Sequence, residues 1–176
     1  ALRARADRAA LVYRRVSDKF VIRSAGPKDA AAILALVREL AEFEQMLDEV
    51  RATAADFAHE LARPHPVVRV LLAEQGGQVA GFALYFFNFS TFVGRKGIYL
   101  EDLYVRAAWR RQGIGIALLA ELARIAALED CSRMEWSVLD WNEPAIRFYE
   151  SLGAKGLDQW RQFRLTQPAI AALSAR

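Results

Sequence analysis

Apolar residues along this chain recur at two periods, and the changes of period mark the elements. Phe20-Val21-Ile22-Arg23 is a short β-prone run that stops at Ala25-Gly26-Pro27. From Asp29, apolar side chains fall at three- and four-residue steps (Ile33, Leu36, Val37, Leu40, Phe43), which predicts an amphipathic helix reaching about Met46. Thr53 precedes a weaker helix with Phe57 and Leu61 on one face and Pro64 after it. The period then shortens. Val67–Glu74 and Gln78–Phe87 flank Gly76-Gly77, the signature of an antiparallel hairpin. Gly94 to Gly97 reads as another turn, and Ile98–Val105 as a further strand.

The second half alternates helix and strand. Gly113–Ala127 has the apolar density of a buried helix, Met134–Leu139 that of a strand. A helix over Glu143–Leu152 follows, then a last strand over Trp160–Leu165 and a short helix after Pro168. The predicted order is β-α-α-β-β-β-α-β-α-β, a mixed α/β (α+β) domain with a meander before a crossover. No internal repeat or linker divides residues 20–176, so one domain is expected after a basic extension at residues 1–19.

Charge sharpens this picture. The 176-residue chain carries +3 overall, yet residues 1–23 hold seven basic side chains (Arg3, Arg5, Arg8, Arg14, Arg15, Lys19, Arg23) against Asp7 and Asp18. The remainder holds 17 basic and 19 acidic groups. A slightly acidic body suits a cationic substrate better than a polyanion, which argues against nucleic acid as the partner. The basic start reads as a solvated extension, partly helical, with Leu11, Val12 and Val16 as a thin apolar stripe. Its other reading is a nucleic-acid, membrane or targeting arm. No apolar run approaches the roughly 18 residues of a membrane span. The single cysteine, Cys131, rules out an internal disulfide framework. A soluble, reduced, cytoplasmic protein is expected.

The chemistry concentrates in Leu100-Glu101-Asp102-Leu103-Tyr104-Val105, then Trp109-Arg110-Arg111-Gln112-Gly113-Ile114-Gly115 and a helix. Glycines let backbone approach a ligand closely. The first helical turn offers unpaired N–H groups and the positive end of the macrodipole, which together cradle a pyrophosphate. Leu118 stands where a dinucleotide fingerprint needs its third glycine, and no Gly-Lys-Ser/Thr follows to make a P-loop. Arg110, Gly113 and Gly115 remain as R-x-x-G-x-G. His59 and His65 have no companion ligands, so no metal site is expected. No G-x-S-x-G elbow is present either.

At this motif the chain resembles the GNAT acetyltransferases, whose coenzyme A loop reads (Gln/Arg)-x-x-G-x-(Gly/Ala) between strand and helix. Leu100–Val105, Trp141-Asn142-Glu143-Pro144-Ala145-Ile146-Arg147-Phe148-Tyr149 and Glu39-Leu40-Ala41-Glu42-Phe43-Glu44 resemble the spermidine/spermine (diamine) and thialysine branch. The resemblance spans about residues 20–170. It implies a mostly antiparallel, twisted and splayed sheet with helices on both faces, acetyl-CoA as co-substrate, a small amine as acceptor, and a homodimer.

The resemblance also implies roles. Tyr149 becomes the general acid that protonates the departing thiolate, a task suited to a tyrosine with a pKa of about 10. The amine's proton goes to Glu101. Phe43, Glu44, Glu101 and Asp102 hold the amine cation. The backbone of Leu103, Tyr104 and Val105 grips the pantetheine arm and polarises the thioester. Arg110, Arg111, Gln112, Gly113, Ile114, Gly115 and Ile116 take the pyrophosphate, with Asn142, Pro144 and Tyr149 completing the coenzyme site. After Gly153 the polyamine-acetylating members insert a short acidic segment, whereas this chain has only Asp158 before Trp160. A shorter, lysine-like or thialysine-like amine is therefore as good a candidate as a polyamine. Other acceptors (an antibiotic, a peptide or a protein) and a non-catalytic coenzyme A sensor are the alternatives.

Overall fold

The computed structural model describes residues 13–15 and 19–176. It divides after Ser137 into two compact units. The first holds a six-stranded sheet in the order β1-β2-β3-β4-β5-β6, with β1 at Tyr13–Arg15, β2 at Val21–Ser24, β3 at Arg69–Gln75, β4 at Gln78–Ser90, β5 at Arg95–Val105 and β6 at Met134–Trp136. Every pairing is antiparallel except β5 with β6. Part of the basic extension is thus strand rather than helix: Tyr13 stands opposite Arg23. Leu11, Val12 and Val16 lie outside the described residues.

Gly76 and Gly77 take φ of 58° and 77° between β3 and β4, the left-handed pair that a two-residue hairpin turn needs. The next turn falls earlier than predicted, at Thr91–Gly94, and Arg95–Gly97 already belong to β5. The helices are α1 (Ala30–Phe43), α2 (Ala54–Leu61) and α3 (Ile114–Leu128) in this unit. Ile33 and Leu36 of α1 pack on Val70, Leu72, Phe82 and Leu84 in one core. Full burial of each such aliphatic side chain contributes about 1.5–3 kcal/mol. Strand alternation sends Leu71, Ala73, Ala83 and Tyr85 to the opposite face, where α3 buries Leu118, Leu122 and Ile125. Helices therefore cover both faces, as predicted.

The start of α1 is anchored by Arg23, whose guanidinium donates to Asp29 (2.7 and 2.9 Å) and to Glu74 (2.6 and 2.9 Å). Hydrogen bonds from Arg23 hold the Asp29 carboxyl below the usual carboxylate range. Thr53 and Asp56 form a capping box on α2.

The second unit carries α4 (Glu143–Ser151) and α5 (Gln167–Ser174). Asn142 caps α4 by accepting from the Ala145 amide (3.3 Å), and Gly153, at φ 88°, ends it. The Gly153 and Ala154 amides donate to the carbonyls of Glu150 and Tyr149, a Schellman closure. Trp160–Leu165, predicted as a strand, is irregular here, with Trp160 76% and Phe163 94% exposed. A strand needs a ladder partner for its backbone groups, and the second unit contains no other strand.

Candidate active site

The centre of the site is an irregularity in β5. Near its start the Ile98 amide donates to Arg133 O (3.1 Å), on the β6 side; just past its end the Arg106 amide donates to Ala80 O (2.9 Å), on the β4 side. Residues eight apart in a regular strand present their amides to the same side. The parity changes at a β-bulge: Tyr85 pairs with Leu100 and Leu84 with Asp102, leaving Glu101 as the extra residue. Past the bulge, the amides and carbonyls of Leu103 and Val105 turn away from β4.

That edge is open. β6 pairs with β5 only from Ile98 to Leu100, and among the described residues no strand pairs with Glu101–Val105 on that side. The predicted opening of the sheet is therefore present, and β5 lines it. Gly81 permits the close approach behind it, since a Cβ there would stand 2.6 Å from Tyr104 O and 3.2 Å from Val105 Cα.

Asp102 lies opposite Leu84 and so faces α1. Burial first, then the charges of Glu101 and Glu44, push its carboxyl up to about 6. Glu44, the residue closing α1, is half-buried, and burial raises its carboxyl too. Glu101 is exposed. The structure thus brings Glu44 and Glu101 each within electrostatic reach of Asp102. Asp102, predicted to help hold the amine, is therefore also a carboxyl able to exchange a proton nearer neutral pH.

Arg110 extends toward the same region. Its Nε donates to Val105 O (2.9 Å), and its guanidinium sits 5.3 Å from the Phe43 ring centroid and 5.5 Å from that of Tyr104. The Arg110 guanidinium thus lies over both rings, Phe43 being the aromatic predicted to face the amine and Tyr104 a residue predicted to grip the coenzyme through its backbone. Arg111 follows at φ 62° and Gly113 at φ 83°, and Gly113 caps α3. The first helical amide bonded back to the cap is that of Ala117, to Gly113 O (3.0 Å). By helix geometry the N–H groups of Ile114, Gly115 and Ile116 point out of the N-terminus, ready for an anion. Gln112 is exposed and donates to Ala108 O (3.3 Å). An open edge of amides running into a cationic helix N-terminus fits a coenzyme with an amide-rich arm and a pyrophosphate. Among the described residues no group of His, Cys, Asp and Glu is suited to a metal, and no helix is long and apolar enough to cross a membrane.

In the second unit Tyr149 is half-buried on the predicted face of α4 with Ala145 and Phe148; the Phe148 and Tyr149 ring centroids are 5.4 Å apart. Pro144 stands in the first turn behind the Asn142 cap.

Sequence reasoning missed the ion pair of Glu39 with Arg106, 67 positions apart. Nothing in local spacing joins them, although Glu39 opens the first-helix motif.

A profile of the acetyltransferase (GNAT) family matches residues 33–154. The chain is 39% identical over 167 residues to the thialysine N-epsilon-acetyltransferase of Bos taurus, covering 89% of this chain and 98% of that protein. It is 38% identical over 163 residues to the spermidine/spermine N(1)-acetyltransferase-like protein 1 of Homo sapiens, covering 87% of this chain and 23% of that one. Among solved structures it resembles an integron cassette protein from the mobile metagenome of V. cholerae, with a TM-score of 0.76 at 26% identity, covering 91% of this chain and all of that one.

Proposed function

The chain belongs to the acetyltransferase (GNAT) family, and from that premise we propose that it transfers the acetyl group of acetyl-CoA to the primary amine of a small cationic substrate. Residues 20–176 work as one acetyltransferase domain in this reading. The observation that carries it is the bulge in β5, after which one strand presents open-edge amides beside a carboxyl whose pKa is pushed up to about 6.

Leu103 and Val105 offer backbone donors to the pantetheine arm and to the thioester oxygen, where a donor stabilises developing charge. The α3 N-terminus, with Arg110 and Arg111, holds the pyrophosphate. Acetyl-CoA supplies an activated acetyl thioester. Phe43 and Tyr104 offer aromatic faces, and Glu44 and Glu101 negative charge, to the incoming ammonium. An ammonium has no lone pair, so it must lose a proton before attack. Asp102, pushed up to about 6, is better matched to that transfer near neutral pH than an ordinary carboxylate, with Glu101 beside it as ligand or relay. Tyr149 returns a proton to the departing thiolate; that assignment rests on the resemblance of Trp141–Tyr149 to the family's motif. The working form is a homodimer.

For substrate, the single acidic residue before Trp160 favours a short amine of the thialysine or lysine kind over a long polyamine. The L-ornithine N5-acetyltransferase NATA1 of Arabidopsis thaliana, 44% identical over 95 residues, points the same way. The test compares kcat/KM on thialysine, ornithine and lysine with that on spermidine and spermine. A preference of tenfold or more for the short amines, about 1.4 kcal/mol, supports the assignment, and the reverse preference overturns it.

A further inference from the structure

We propose that Glu39 and Arg106 are positioning residues that set the amine-binding end of α1 over β5 and so control amine affinity separately from coenzyme affinity. The inference deepens the acetyltransferase reading and rests on it. Arg106 follows Val105 directly, where the open edge ends and the coenzyme loop begins. Its Nε donates to both carboxylate oxygens of Glu39 (3.0 and 2.9 Å) and its Nη2 to one of them (2.7 Å). Its Nη1 donates to Val79 O (2.8 Å), and its own amide to Ala80 O (2.9 Å). One guanidinium thus ties α1 to the start of β4 and the end of β5.

Glu39 lies one helical turn before Phe43, on the same side of α1, and five residues before Glu44. The start of α1 is pinned by Arg23 through Asp29; the Arg106 pair is the corresponding fastening near its other end. The side chains are 27% and 35% exposed. Half-exposed ion pairs add little stability, whereas a forked guanidinium–carboxylate pair fixes orientation well. The chief consequence is geometric: where Phe43 and Glu44 stand relative to Asp102.

The test uses the full chain, with Glu39→Gln, which keeps length and removes charge, and Arg106→Lys, which keeps charge and loses the fork. Amine KM should rise about tenfold in Glu39→Gln and about threefold in Arg106→Lys, with acetyl-CoA KM within about twofold of wild type. Hydrogen exchange of the coenzyme-free protein should quicken in residues 36–46 and stay unchanged elsewhere. Wild-type amine KM in both variants would overturn the proposal, even with faster exchange. So would a parallel loss in both KM values and in Tm, the mark of a merely structural pair. A wild-type protein inactive on every amine would instead overturn the acetyltransferase reading beneath it.

Discussion

Replacing Asp102 with Asn should make the protein more stable and less active, and the stability gain should depend on pH. Asp102 is held among apolar neighbours and two other carboxylates, so its charged form is disfavoured and its pKa rises from 3.8 to about 6. Between those values the folded chain keeps a proton that the unfolded chain releases. Stability therefore falls as pH rises through that window and levels off above it. At 1.36 kcal/mol per pKa unit, the shift corresponds to about 3 kcal/mol of destabilisation at pH 8. Asn has the same shape and no charge to desolvate. Water reaching exposed Glu101 softens the repulsion, so about 2 kcal/mol should be recovered, a Tm increase of about 4–8 °C. Below about pH 3 the wild-type carboxyl is protonated in both states and the two proteins should match, and by about pH 4 most of the difference should already be gone. Thermal melts at pH 4, 6 and 8 read the difference directly. Wild-type activity should climb as pH passes through about 6, while the variant lacks that limb and loses about a hundredfold in kcat. An Asn variant that is no more stable at pH 8, or whose gain is the same at pH 4, would refute the reasoning.

Tyr149→Phe should lower kcat by about a hundredfold while calorimetry shows acetyl-CoA binding unchanged, as expected for loss of a general acid. Gly113→Ala should weaken acetyl-CoA binding with little change in amine KM, because its φ of 83° costs an L-residue about 1–2 kcal/mol in the loop that opens α3. Gly81→Ala should destabilise the fold by about 1–3 kcal/mol in urea unfolding, since its Cβ would meet Tyr104 O at 2.6 Å and push β4 from β5.

Most of the architecture was legible because it follows from local periodicity. The three-and-four spacing from Ile33 to Leu40 is the α1 face that packs on the sheet, although Phe43, at the end of that series, is exposed and lies beneath Arg110. The Asn142 cap, the Gly76-Gly77 turn and the Gly113 start of α3 are encoded within a few residues each. What periodicity missed depends on partners distant in the chain. The bulge at Glu101 is a property of the β4–β5 register, and alternation along one strand does not announce it. The same register sets Asp102 opposite Leu84, on the face that α1 covers. Trp160–Leu165 shows the converse: β-prone residues without a partner strand in their unit remain irregular. The Glu39–Arg106 pair joins two elements with no shared local signal.

The most direct measurement of the central claim is free-thiol release from acetyl-CoA with thialysine, ornithine, lysine, spermidine and spermine, accompanied by mass spectrometry of each amine. The account predicts steady turnover on at least the short amines, with product heavier by one acetyl group and a matching yield of thiol. Failure of the wild-type protein to bind acetyl-CoA, or binding with no acetylated product from any of these amines, would contradict it.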